Sequence, residues 1–254
     1  MKKVYLYKRF ERFWHWSQTL LIFTLIVTGF EIHGSTNFIG YEASVKVHNI
    51  AAWAFLVLIV FAIFWHLTTD EWRNYMPTRK NLKAQIEFYL TGIFRNAPHP
   101  TKKKLGAKLN PLQRLAYFGL KVIIIPVIVV SGVLYMYFHY PVPGIELDSL
   151  ESVAVIHTLA AYLLVAFVLL HLYLITTGRT VTSNMKAMVT GWEIMDDEEV
   201  EEIKKDAMRE TELRIRPVKG YPEKKVKVEE IQIERPEEVP VNNEKKKEVT
   251  IKED

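Results

Sequence analysis

The chain has 254 residues, 33 Lys+Arg against 29 Asp+Glu and a mean hydropathy of +0.03, averages that conceal two unlike parts. Residues 1–195 carry 19 basic and 10 acidic side chains, whereas residues 196–254 carry 14 and 19. The absence of cysteine excludes disulfides, thiolate-held iron–sulfur clusters and the CxxCH attachment of a covalent haem.

A bilayer core of about 30 Å requires about 20 apolar residues at a rise of about 1.5 Å per residue. Four segments qualify, so residues 1–195 read as an all-α, integral membrane four-helix bundle. The first runs over about 13–30 (FWHWSQTLLIFTLIVTGF) and the second over about 47–67, and neither contains Lys, Arg, Asp or Glu. No small-residue cleavage motif follows the first, which is therefore read as a retained span. In the long connection from Thr68 to Pro111, Leu82, Ile86, Tyr89, Leu90 and Ile93 recur at helical spacing. They predict a cytoplasmic amphipathic helix on the membrane surface or under the bundle. The third span, 115–138, holds Lys121 and Pro126, which predict a snorkelling ammonium and a kink. The fourth covers 152–176. Residues 196–254 read as a charged cytoplasmic tail, largely disordered or ordered by a partner, with a hint of a short strand in KKVKVEEIQIERPEEVP.

Loop charge sets the orientation. The N-terminus holds Lys2, Lys3, Lys8, Arg9 and Arg12, and nine basic residues lie between Arg73 and Lys108, whereas 31–46 and 139–151 hold one between them. Basic loops stay on the cytoplasmic side, so both termini are expected there, in a cell inner membrane.

Ionisable side chains are costly in hydrocarbon, so histidines within such spans call for a compensating partner, such as haem iron. His157 and His171 are 14 residues apart, a rise of roughly 21 Å with little angular offset, so they share one helix face near opposite membrane surfaces. On the second span, His48 lies near the outer surface and His66 near the inner one. His48 and His157 form an outer pair without a competitor. The inner layer offers His15, His66 and His171 for two positions. The reading favours His15 with His171, because His66 sits beside Trp65 at the membrane exit, where water or a loop carbonyl can satisfy it. Arg12, close to His15, is a candidate for a haem propionate, although loop charge alone would place a basic residue there. Gly29, Gly119 and Gly132 are candidates for close approach to a porphyrin. A histidine relay in a proton channel or transporter without haem is the alternative reading.

The stretches RFERFWHW, VHNIAAW, LNPLQRLAY and VIHTLAAYLLVAFVLLHLYL, across residues 8 to 192, resemble the four-helix di-haem cytochrome b membrane subunits of formate dehydrogenases, nickel-iron hydrogenases and thiosulfate reductases. The resemblance implies two haem b groups, one on His15 and His171 and the other on His48 and His157. It also implies a menaquinone or ubiquinone site near the cytoplasmic haem, matched here by Asn110 and Gln113, with Leu112 where relatives have a small residue. The implied role is electron transfer between the quinone pool and a redox catalytic subunit, or an iron–sulfur or multihaem subunit, rather than catalysis by this chain alone. Asn110 followed by Pro111 is equally an ordinary helix start.

Overall fold

A computed structural model describes residues 1–95, 97, 100–101, 108–139, 150–215 and 233–234; the expected outer loop at 140–149, His99 and most of the tail lie outside the described residues. Strand β1 (Lys2–Tyr5) leads into helix α1 (Arg9–Ile32), which is followed by α2 (Tyr41–Thr68), a 3-10 turn (Glu71–Tyr75) and the short α3 (Leu82–Glu87). Helix α4 (Pro111–Gly119) continues through a π turn (Leu120–Ile124) into α5 (Ile125–His139), and α6 (Leu150–Ile175) completes the long helices. Helix α7 (Ser183–Thr190), strand β2 (Trp192–Met195), helix α8 (Asp197–Ile215) and strand β3 (Ile233–Glu234) follow.

Three helices are long and apolar enough to cross a membrane: α2, the α4–α5 composite and α6. Only 11% of the apolar windows of the last two is buried inside the protein, and Phe61, Phe64, Ile123, Leu159 and Leu169 face outward. At about 25 cal/mol per Å² of apolar surface, water could not be the solvent of such helices. This is a membrane helical protein. Helix α1 is less apolar because Trp14, His15, Trp16, Ser17 and Gln18 fill its first turns. Its Ile22 nevertheless joins Phe55 of α2, Leu120 of the π turn and Leu164 of α6 in one buried cluster, so all four long helices share a core.

The kink expected at Pro126 takes the form of the π turn just before it. Proline lacks an N–H and crowds the carbonyl one turn back, and the extra residue at 120–124 absorbs the mismatch. Lys121, on this turn, does not snorkel outward. Its Nζ lies 3.1 Å from the Tyr75 ring centre, 4.9 Å from that of Trp14 and 3.2 Å from His66 Nε2. Aromatic faces and an imidazole replace water around the ammonium.

The expected amphipathic helix is present as α3, a π turn (Phe88–Gly92) and a 3-10 turn (Ile93–Arg95), but its register differs. Gln85, Phe88 and Tyr89 are buried, while Leu90 and Phe94 are 70% and 79% exposed. Tyr89 and Ile93 of the predicted stripe pack with Leu174, while Leu90, within the wider turn at 88–92, points away from that cluster.

Three antiparallel strands, in the order β2-β1-β3, form a cap; the all-helical expectation does not include β1 and β2, whereas β3 lies in the stretch KKVKVEEIQIERPEEVP that hinted at a short strand. Val4 and Leu6 bury against Met195 and against Val200 and Ile203 of α8, each contributing roughly 1.5–3 kcal/mol. Part of the charged tail is thus ordered by this chain's own N-terminus. Gly191 makes the turn possible at φ +90°, where an added Cβ would meet the Tyr5 ring at 2.6 Å, and its carbonyl accepts from Leu6 N and Tyr7 N.

Candidate functional site

Among the described residues, five histidines lie inside the helical bundle at two levels. At one end, His48 of α2 faces α1: its Nδ1 is 2.8 Å from Thr28 Oγ1, and a Cβ at Gly29 would sit 3.7 Å from its Cε1. On α6, His157 meets α5 in the same manner. Its Nδ1 is 3.0 Å from Ser131 Oγ, and a Cβ at Gly132 would sit 3.1 Å from its Cε1. The two imidazoles lie within electrostatic reach of one another. The glycines expected to face a porphyrin therefore make room for the imidazoles; nothing lies within 4 Å of a Cβ placed at Gly119.

At the other end, the His15 and His171 ring centres are 6.1 Å apart with planes at 53°. An iron bound by two imidazoles through bonds of about 2 Å holds their ring centres roughly 6 Å apart, so the pair fits a shared metal. Phe167, one turn from His171, lies parallel to its ring at 6.2 Å and 4°. Tyr117 Oη is 3.0 Å from His171 Nδ1. His15 Nδ1 is buried without a hydrogen-bond partner among the described residues.

His66 is occupied differently. Its Nδ1 donates to the Ala62 carbonyl at 2.6 Å, which leaves Nε2 as an acceptor, and the Lys121 ammonium donates to it at 3.2 Å. Both nitrogens are engaged, whereas His15 and His171 lie ring against ring.

Beyond the His15–His171 pair lies a charged cluster. Lys108, only 8% exposed, contacts Glu11 Oε1 at 2.6 Å and Glu71 Oε2 at 3.9 Å, and Asn74 Nδ2 donates to Glu71 at 2.6 Å. Burial, reinforced by Glu11, raises the Glu71 carboxyl above its ordinary value against the opposing pull of Lys108 and Lys8. Burial likewise raises the phenols of Tyr7, with Glu193 and Glu11 adding to the effect, and of Tyr75, with Glu11 adding. Arg12 Nη1 donates to the Val189 carbonyl at 2.6 Å and Trp16 Nε1 to that of Met188 at 3.2 Å. These bonds satisfy the last turn of α7 and dock it on α1.

Asn110 and Gln113 form a capping box. Asn110 Oδ1 accepts from Gln113 N at 2.8 Å and Gln113 Oε1 accepts from Asn110 N at 3.1 Å. Asn110 Nδ2 also donates to Tyr89 Oη at 2.9 Å; burial raises that phenol, tempered by its hydrogen bonds to Thr177 and Asn110. Both residues line a cavity of about 1000 Å³ with Phe88, Tyr89, Arg114 and Leu174.

The family described as prokaryotic cytochrome b561 matches residues 6–191. The chain belongs to that family. It is also 31% identical over 202 residues, 75% of each chain, to a protein of Escherichia coli (strain K12) named "Putative cytochrome YdhU". Membership makes this chain a membrane cytochrome b of electron transfer, with haem b as its implied group, and the 6.1 Å imidazole pair fits such a group. Thr28, Ser131 and Tyr117 escaped the reading of the sequence of this cytochrome b561. For Thr28 and Ser131 the available signal was a hydroxyl immediately before Gly29 and Gly132, two of the three glycines that did stand out.

Proposed function

We propose that this cytochrome b561 spans the membrane four times with both termini on the cytoplasmic side, and binds two haem b groups. His48 and His157 are the axial residues of the outer haem, and His15 and His171 those of the inner one. A haem b supplies one-electron transfer at its iron. The four imidazoles, burial and helix spacing belong to the chain. The two-level arrangement of these histidines, each pair bridging two helices, carries the reading.

Several observations support the details. The polar elements β1, α7, β2 and α8 gather at the end that holds His15, and this end is basic in its loops. Arg12 Nε is buried and unpaired among the described residues and is the proposed propionate partner. A menaquinone or ubiquinone head group occupies the cavity beside Asn110 and Gln113. Gln113 Nε2 makes no hydrogen bond among the described residues, and Leu174 of the cavity wall follows His171 by one turn. Electrons enter or leave the outer haem through a redox catalytic subunit, or an iron–sulfur or multihaem subunit, in the inner membrane.

A reduced-minus-oxidised spectrum of the purified chain tests this directly. Two b-type haems per chain are expected, with about half the absorbance lost in His157→Ala or His171→Ala and none in His66→Ala. A colourless protein, as a histidine relay would be, overturns the proposal.

A further inference from the structure

Thr28 and Ser131 occupy matching places in the two helical hairpins α1–α2 and α5–α6. Each is buried, at 3% and 4% exposure, each precedes a glycine, and each glycine faces the same histidine as the hydroxyl. A hydroxyl has one proton to donate. Thr28 Oγ1 donates its proton to the Thr24 carbonyl at 2.7 Å, with the Leu25 carbonyl at 3.3 Å. Ser131 Oγ donates to Val127 at 2.6 Å, with Ile128 at 3.2 Å. The oxygens are therefore left to accept, and the only way to make the short contacts to Nδ1 is for each imidazole to carry its proton there. That tautomer leaves Nε2 of His48 and His157 with an open lone pair.

We infer that Thr28 and Ser131 are positioning residues that fix the tautomer and ring orientation of the two outer histidines and set the midpoint potential of the outer haem. The inference rests on the assignment of His48 and His157 as axial residues. Each hydroxyl is polarised by the helix carbonyl it donates to, and in turn pulls on the Nδ1 proton, so the imidazole donates more electron density through Nε2. Ferric iron gains most from that density. The inner histidines lack this device, since His171 meets a phenol and the Nδ1 of His15 has no hydrogen-bond partner among the described residues.

The test is a potentiometric titration of the purified full chain, with spectra resolving the two haems, for Thr28→Val, Ser131→Ala and the double variant. Losing one acceptor should weaken the preference for ferric over ferrous iron about tenfold, which is about 59 mV for one electron. One midpoint should rise, the same one in both single variants, with Thr28→Ser restoring it and haem content retained. Two haems with unchanged midpoints in the double variant would overturn the inference and leave the haem assignment standing. A wild-type chain without haem would overturn both. Thr28→Ser and Ser131→Thr keep the hydroxyl and the fold, so a midpoint displaced by either as far as by Thr28→Val also counts against it.

Discussion

The two histidine levels differ in what surrounds them. At the outer level each imidazole is held by a hydroxyl whose own proton is committed to a helix carbonyl, beside a glycine that lets the ring approach. At the inner level His171 meets the Tyr117 phenol, His15 Nδ1 has no partner among the described residues, and Trp14, Tyr75, His66 and Lys121 pack together nearby. Carboxylates and Lys108 follow within a few side chains. The His48–His157 level fastens both imidazoles to committed hydroxyls with His33 beside them, while the His15–His171 level adjoins Lys121, Lys108 and carboxylates. On the proposed reading, electrons meet protons and quinone at the second of these levels.

The largest break in this contrast comes from the glycines. A side chain at Gly132 would press on His157 from 3.1 Å, but at Gly29 it would find His48 at 3.7 Å, an ordinary contact. Gly132→Val should displace His157 and leave about half the wild-type haem per chain, whereas Gly29→Ala should retain both haems in a haem-content assay. Equal losses in the two variants would mean that the outer pocket is not shaped as described. Next in size is Lys108→Met, which strands Glu11 and Glu71 without their shared ammonium at 2.6 and 3.9 Å. Removing one partner of a buried ionic cluster costs about 3 kcal/mol or more. Thermal melts followed at the haem bands should show the inner haem released at lower temperature, with the outer haem little affected.

What could be read from the residues follows from how local each signal is. The three longest apolar helices and the shared face of His157 and His171 are written in runs and spacings that need no tertiary information. Beyond the hint of β3, the cap was not legible, because only Val200 and Ile203 of α8 carry its docking within a helix crowded with Glu and Lys. Its partner strand lies almost the whole chain away at Lys2–Tyr5. Lys121 misled for a related reason. A lysine near the end of a span ordinarily reaches for water, and nothing local announces that Trp14 and Tyr75, from two other segments, supply aromatic faces instead. Asn110 and Gln113 illustrate the opposite limit, for the ordinary helix start foretold by Asn-Pro is in fact a capping box that also takes in Gln113, with Asn110 Nδ2 turned to Tyr89 and Gln113 Nε2 left over.

A smaller effect is expected from Tyr117→Phe, which removes the phenol 3.0 Å from His171 Nδ1 while keeping the ring that packs against Phe167 and His171. Its midpoint shift should appear at the inner haem and leave the outer one in place, the mirror image of Ser131→Ala. A shift at both would show that the two levels are not independently set.

The smallest effect sharpens the inner side alone. Glu71 is held above its ordinary carboxyl value by burial, with Glu11 adding to it. The folded state therefore binds this proton more tightly than the unfolded chain does. Its stabilising contribution is complete below the unfolded value and is lost as pH rises through the folded one. Melting temperature, followed from acid toward neutral pH, should fall by a small increment across that window at the inner band in the wild type and stay flatter in Glu71→Gln. The amide keeps an acceptor for Asn74 Nδ2, which donates to Glu71 at 2.6 Å, but cannot ionise beside Glu11. A wild-type slope that persists unchanged in Glu71→Gln would assign the titration elsewhere in the cluster, to a group that Lys108 and Lys8 compensate less well.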